Sequence, residues 1–328
     1  MFEAFWQKSI FVGKSLFEEV DTMTFIYIIY PTHWPIKPLI TLWAEKLRAT
    51  FILESFDEES FSWRVASKKW QQQYPDGRCF LFPHLQNPWC WSVWVPRATE
   101  DEQEYAPLSL AFFDKKGSYE KDLFSAHTIS LQHPLLKMIK KIKKKRVLSE
   151  IWEGMGGRGQ DTLFLLHLGH PIRVWEQNPI LAFLWTSAME GLEELYGKTF
   201  VQERLFFQYG NFWQAVTNEK KKIDGRVIYL DPFFEEGEKK RKGLPPGEIM
   251  VMKKLQQLFH AQMGPTDQLD QEKFSLLATH IHPISLIVKR PLKGVGMTGV
   301  VPQGSVKGKS LAWDIYAFTF FSSFSQED

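Results

Sequence analysis

Two cysteines in 328 residues, Cys79 and Cys90, are too few to staple a chain of this size, so the sequence reads as a protein of a reducing compartment held by its core. A dominant charge is also missing. Forty Lys and Arg stand against 38 Asp and Glu, so the whole-chain balance of +2 says little about partners and only local clusters carry information. Long apolar runs are absent: MTFIYIIY (23 to 30) and NPILAFLW (178 to 185) fall short of the roughly 20 residues that a membrane span needs, and no signal-peptide pattern opens the chain. The expectation is a soluble, cytoplasmic protein with no membrane partner. No internal repeat is visible, and the pair His280 and His282, read on an extended segment, has no third or fourth ligand near it, so no metal is expected.

What is present is a globular composition, 44% hydrophobic, with an uneven layout. Most of the 13 tryptophans fall before residue 100, as do residues 24 to 30 and 90 to 95, which read as strands, with LITLWAEKL a helix between them and PDGR (75 to 78) a turn. A boundary near residue 130 is expected, dividing an N-terminal α+β domain (1–130) from a second domain (131–328). The second begins with HPLLKMIKKIKKKR, whose Leu135, Leu136, Ile139 and Ile142 form one stripe of a helix. Strands then alternate with helices: VLSEIWEG, a glycine turn, DTLFLLHLG, IRVWE, the helix NPILAFLWTSAMEGLEELYG, RLFFQY, VIYLD and the helix EIMVMKKLQQLFHAQMG. PISLIVKRP and LAWDIYAFTF close the series, the latter as an antiparallel edge member. This rhythm predicts a three-layer α/β sheet.

Gly154, Gly156 and Gly159 in GMGGRG have the G-x-G-x-x-G spacing after a predicted strand, which permits a tight turn, close approach to a ligand and entry into a helix N-terminus. Glu176 ends the next strand 22 residues after Gly154, where a carboxylate can accept both hydroxyl protons of a ribose. The pairing fits a dinucleotide, and it also fits S-adenosylmethionine. Glu153 favours the latter, because a carboxylate beside a pyrophosphate puts two anions in one crevice, whereas beside a methionine ammonium it finds an opposite charge. Asp161 opens the following helix and reads as a support for the turn.

In VIYLDPFF, Asp231 ends a strand that should face the same crevice. Its carboxylate and the carbonyl of Pro232 can receive the hydrogens of a flat exocyclic amino group, while the Phe234 ring can stack on the heterocycle bearing that amine. Acid, rigid carbonyl and ring together make a clamp for an amino group on a base.

The same stretches resemble the ribosomal RNA small-subunit methyltransferase J family. EGMGGRGQDTLFL matches the family's acid-x-x-x-G-x-G-x-D loop, VWEQNP its LERNP segment and VIYLDPFF its YLDPMF, followed in order by VMKKLQQL, IVKRP and WDIYAF. The match covers roughly residues 150 to 317. Glu153 stands where the family has aspartate, and LQHPLLKMIKK where it has a basic, glycine-rich stretch.

The resemblance implies a Rossmann-like class I S-adenosylmethionine-dependent methyltransferase fold with a smaller N-terminal α/β domain. It implies methyl transfer from S-adenosylmethionine to the exocyclic N2 of a guanine in 16S rRNA, with the small ribosomal subunit as partner. Cofactor contacts would come from Glu153, Gly154, Gly156, Gly157, Arg158, Gly159 and Asp161, from Glu176, Gln177 and Asn178, and from Gly210, Asn211 and Asp231. Asp231, Pro232 and Phe234 would hold the guanine, and Lys253, Lys254, Lys289 and Arg290 would meet RNA. Seven basic side chains among residues 137 to 146, together with Lys239, Lys240, Arg241 and Lys242, are expected close to the Asp231 crevice as phosphate contacts. The competing readings are a methyltransferase acting on another amino group in RNA, DNA or protein, a non-catalytic RNA-binding relative, and an NAD-dependent oxidoreductase.

Overall fold

The computed structural model describes residues 26–31, 38–47, 49–54, 62–97, 105–113, 117–119, 124, 133–220, 223–232, 246–259, 269–294 and 296–318. Two sheets organise them. The first has the order β2-β1-β3-β4-β5 and is built from β1 (Ile26–Pro31), β2 (Thr50–Glu54), β3 (Cys79–His84), β4 (Asn87–Trp94) and β5 (Leu108–Ser109). Helices α1 (Pro38–Leu47) and α2 (Trp63–Gln73) connect its early strands. Because side chains alternate across a strand, β1 is apolar on both faces. Tyr27 and Ile29 pack with Trp70 of α2 and with Phe80, Phe82 and Trp94, while Ile26, Ile28 and Tyr30 join the main core.

The second sheet follows α3 (Pro134–Lys143). In chain order it contains β6 (Glu150–Glu153), α4 (Gln160–Leu166), β7 (Ile172–Glu176), α5 (Pro179–Tyr196), α6 (Lys198–Arg204) and β8 (Leu205–Tyr209). Then come α7 (Phe212–Asn218), β9 (Arg226–Leu230), α8 (Pro246–Leu258), α9 (Gln271–His280), β10 (Ser285–Pro291), β11 (Gly304–Lys307) and β12 (Leu311–Ala317). The strand order is β11-β12-β10-β9-β6-β7-β8, parallel from β10 to β8, with β12 antiparallel to both of its neighbours. This is the Rossmann-like class I methyltransferase fold. Chain order reverses between β6 and β9, and such a reversal opens a crevice beyond the carboxyl ends of the two strands.

The amino ends of the same strands are pinned by charge. Arg226, fully buried, donates from Nε to Glu150 Oε1 at 2.6 Å and lies 3.9 Å over the Trp152 ring, while Arg173 donates to Glu150 Oε2 at 3.1 Å. A buried guanidinium is tolerable only with such partners, and the pairs secure the register of β6 between β9 and β7.

Helix α5 joins the two sheets. Asn178 caps it by accepting from Ile180 N at 3.0 Å and Leu181 N at 3.2 Å, and Pro179 supplies a ready-set first turn. The helix is buried for most of its length and packs on β4 of one sheet and on β7 and β8 of the other. One core therefore runs through both sheets, from Ile26 to Trp313. At Gly191 of α5 an added Cβ would lie 2.2 Å from the Tyr119 hydroxyl and 2.5 Å from the Trp89 ring of β4.

Several elements differ from expectation. Among the expected elements none corresponds to α2, α6, α7, α9, β2, β3, β5 or β11. His280 and His282 do not share an extended segment: His280 ends α9, and His282 has φ 52 in the turn beyond it. The basic run also lies elsewhere than expected. Leu135, Leu136, Met138, Ile139 and Ile142 of α3 are buried, and the chain after it leads to Ser149, which pairs with Gly225 at the amino ends of β6 and β9. Lys144, Lys145 and Arg146 thus sit at the opposite end of the sheet from the Asp231 crevice, and Lys239 to Lys242 fall outside the described residues. Among the described residues no helix is long and apolar enough to cross a membrane, and no group of three His, Cys, Asp or Glu side chains is set to hold a metal ion.

Because Gly191 leaves no room for a side chain, Gly191→Ala is expected to lose about 1 to 3 kcal/mol of stability through overpacking against Trp89, read as a lowered urea midpoint with unchanged slope.

Candidate functional site

A cavity of about 230 Å³ opens at the topological reversal. The turn after β6 contributes Glu153, Gly154, Gly156, Gly157 and Arg158, and the end of β7 contributes Glu176, Gln177 and Asn178. Gly210 and Asn211 follow β8, Asp231 and Pro232 follow β9, and Asp161 and Lys289 reach in from α4 and β10. Residues that are scattered over 137 positions of sequence thus share one wall because five adjacent strands end there.

The turn itself is shaped by close approach. Gly156 donates to Trp175 O at 2.9 Å, and a Cβ at this position would lie 2.6 Å from Val174 Cγ1, so only glycine lets β6 and β7 come together here. Gly157 and Gly159 have φ of 51 and 75, and Gly159 caps α4 without lining the cavity. Trp185 Nε1 fixes the turn from below by donating to Gly157 O at 2.9 Å.

Glu176 is gripped by backbone. Oε2 accepts from Gly157 N and Oε1 from Asn178 N, both at 2.7 Å, so the carboxyl is oriented before any ligand arrives. Burial pushes its pKa up to about 7, against the opposing pull of the Asn178, Gly157 and Gln177 amides. Asn211 caps α7 through Oδ1 and donates from Nδ2 to Gln177 Oε1 at 2.9 Å, which ties the loop after β8 to the end of β7.

On the other side of the reversal lies an acid network. Glu153 is buried and accepts from Thr162 Oγ1 at 2.6 Å; burial, with Asp161 and Asp231 nearby, raises its pKa well above the carboxylate range. Asp161 accepts from Tyr229 Oη at 2.5 Å and from Lys289 Nζ at 2.7 Å. Burial alone would raise the Asp161 carboxyl, but the Lys289 ammonium and these hydrogen bonds hold it below its usual range. Lys289 also donates to Asp231 Oδ2 at 2.8 Å. Burial disfavours its charge, yet the carboxylates of Asp231 and Asp161 prevail and raise its pKa.

Arg158 pairs with Glu248 of α8 and donates from Nε to Ser109 O at 3.0 Å. The first sheet and α8 are thereby fastened to the glycine turn. The lining therefore holds five carboxyls, those of Glu153, Asp161, Glu176, Asp231 and Glu248, against the two cations Arg158 and Lys289. Such a surface suits a ligand carrying positive charge and opposes a pyrophosphate.

The remaining expected residues are placed as follows. Phe234 lies outside the described residues. Lys253 and Lys254 do not line the cavity, and Lys254 Nζ donates to Pro96 O at 2.9 Å. Arg290 is held by Asp314, at 2.5 Å from Nε and 3.0 Å from Nη2, and by the carbonyls of Pro291 and Leu292.

Sequence reading also passed over part of the lining. Ile249, Met252 and Gln256 form one face of α8, and Phe212 and Trp213 open α7. The three- and four-residue spacing on α8 is visible in the sequence, but nothing there says which face meets a ligand.

A family model described as "Putative SAM-dependent methyltransferase" matches residues 98–318 of the chain, SAM being S-adenosylmethionine. Among curated relatives, the ribosomal RNA small subunit methyltransferase J of Chromobacterium violaceum is 26% identical over 184 residues, covering 56% of this chain and 67% of that protein. The protein of the same name from Hydrogenovibrio crunogenus is 29% identical over 170 residues, 51% of this chain and 57% of that one. The alignments span little more than half to two thirds of these relatives. A crystal structure of a SAM-dependent methyltransferase from Neisseria gonorrhoeae aligns with 92% of this chain and 100% of that chain at 17% identity, with a TM-score of 0.49.

The raised pKa of Glu176 gives a signed expectation. A carboxyl whose folded value of about 7 exceeds its ordinary 4.5 adds stability that is fully present below the lower value and is lost as pH rises through the upper. Between about pH 5 and pH 8 the unfolding free energy of Glu176→Gln should therefore gain about 2 to 3 kcal/mol relative to the natural protein, measured by urea unfolding across that range.

Proposed function

The chain belongs to this SAM-dependent methyltransferase family, and on that premise we propose that it methylates the exocyclic N2 of a guanine in small-subunit rRNA. The observation that carries the reading is the placement of Asp231 and Pro232 on the same cavity wall as the glycine turn and Glu176. The fit to the cofactor rests on the donor set. An anionic lining suits a cationic ligand, and a carboxyl held by two backbone amides is oriented to accept from ribose hydroxyls. Glu153 and the turn from Gly154 to Gly157 would hold the methionine end, Glu176 the ribose, and the region of Gln177, Gly210 and Asn211 the adenine edge.

S-adenosylmethionine would supply a methyl group already activated on a sulfonium, the C–S bond breaking toward sulfur as the acceptor nitrogen's lone pair forms the new C–N bond. The protein's own work is alignment. Asp231 and the Pro232 carbonyl accept from the amino group and hold its nitrogen toward the methyl, an orientation effect that can supply much of the rate. The N-terminal Glu248 end of α8 and the Arg158 pairing close the wall opposite. A guanine must be unpaired or turned out of its stack to reach this depth.

The rRNA acceptor is supported by the names of the relatives and by the clamp at Asp231. The same reading divides the chain at about residue 130, with 1–130 docking rRNA or the subunit and 131–328 carrying the transfer. A methyltransferase acting on another amino group is the second reading, because the Asp231 and Pro232 acceptors recognise a planar amine before they recognise a base.

The test begins with calorimetry of S-adenosylmethionine and NAD. Saturable binding of the first alone, weakened at least about tenfold in Glu176→Ala, is expected from the loss of charged hydrogen bonds. Methyl transfer to 30S subunits lacking the modification, measured at saturating cofactor, should then fall about 100-fold in Asp231→Ala. Cofactor binding with no transfer to 30S, but transfer to another amine, moves the assignment to the second reading.

A further inference from the structure

Lys289 is 14% exposed at its side chain, and its ammonium bridges Asp161 at 2.7 Å and Asp231 at 2.8 Å. The chain of contacts runs from Tyr229 on β9 through Asp161 at the start of α4 to Lys289 on β10, and returns to Asp231 just past β9. Three elements thus fix one carboxylate oxygen of the residue that faces the acceptor.

Among the described residues, Asp231 couples electrostatically to Glu153 at the end of β6, to Tyr229 of β9 and to Lys289, while Asp161 of α4 shares the Lys289 ammonium and Glu248 of α8 lines the cavity already paired with Arg158. Beyond Asp161 lies His133, held against Phe164, which feels both Asp161 and Lys289. An opposite charge in contact favours the ionised form of a carboxylate, and Lys289 is the cation in contact with Asp231.

We propose, on the methyl-transfer reading of Asp231, that Lys289 is a positioning residue: it ties Asp231 to Asp161 and keeps it an ionised, oriented hydrogen-bond acceptor, so that Asp231 aligns an uncharged amino group and is not its base. The balance of the step is then defined. The nitrogen lone pair forms the C–N bond, the C–S pair leaves on sulfur, and the proton lost from nitrogen goes to water at the cavity mouth. The charge already balanced by Lys289 also suits an amine conjugated to a ring or carbonyl better than an alkyl ammonium, which would favour an uncompensated carboxylate.

The test uses the full chain without cofactor or RNA, labelled with [13C]carboxyl aspartate. The Asp231 resonance is identified with Asp231→Asn and titrated in the natural protein, in Lys289→Met and in Lys289→Gln, which keeps a hydrogen-bonding head without charge. The variants are expected to bind a proton at Asp231 at least about tenfold more tightly, a midpoint higher by one pH unit or more. An unchanged midpoint in a folded variant overturns the role of Lys289.

With 30S subunits at saturating cofactor, the pH below which kcat falls off should lie at least about one unit higher in Lys289→Met than in the natural protein or in Lys289→Arg, matching the shift read from the resonance. Coincident acid limbs in the natural protein and in Lys289→Met also overturn it. Absence of transfer by the natural protein instead overturns the reading of Asp231, so the two failures separate.

Discussion

Lys289 is where the charge of the cavity is balanced. The carboxyl ends of β6 and β9, with the start of α4, bring Glu153, Asp231 and Asp161 together, and one ammonium from β10 holds two of the three. Removing carboxylates from water is expensive unless opposite charge and hydrogen bonds replace it, so the acid cluster depends on the neighbouring strand that delivers the amine. The third acid, Glu153, accepts from Thr162, and burial together with Asp161 and Asp231 outweighs the pull of Thr162 and Lys289, so its affinity for a proton is raised. A site of this kind is prepared for a cationic ligand, since the ligand completes a balance that the protein leaves short.

The first sheet bears on the same site through contacts rather than through lining residues. Ser109 O receives Arg158 Nε, Arg158 O receives Ala111 N, and Pro96 O receives Lys254 Nζ from α8. Helix α5 packs between the sheets and carries, at its cap, the Asn178 amide that orients Glu176. Two of the early tryptophans belong to this packing: Trp91 meets Phe183 edge-on at 4.9 Å, and Trp43 meets both Phe183 and Tyr209. Their role is to hold α5 and the end of β8 in place.

Much of the cavity wall could be read along the chain. Glycines at fixed spacing after an apolar run, an acid closing the next strand and an Asp-Pro after another are local signatures, because each reflects what the backbone must do at a strand end. The wall made by Ile249, Met252 and Gln256 could not be read this way, since a helix with apolar residues on more than one side does not announce which faces the cavity. The extended segment expected for the histidine pair failed for a related reason. Spacing of two implies a shared face only on a strand, and here the intervening turn leaves the helix and breaks that relation. The basic run failed because nearness in sequence to β6 says nothing about which end of β6 it meets.

The order of strands and helices, the glycine turn, the acid at residue 176 and the acid at residue 231 are local consequences of hydrophobic period, backbone freedom and charge, and these act over a few residues at a time. Which end of the sheet receives the lysines, which face of α8 closes the cavity and which carboxylates share Lys289 are set by the packing of strands whose residues lie far apart in the chain. Asp161 and Lys289 are 128 positions apart yet hydrogen-bonded at 2.7 Å. Electrostatic partnership falls off with distance in space, not along the sequence, and only the folded sheet converts one into the other.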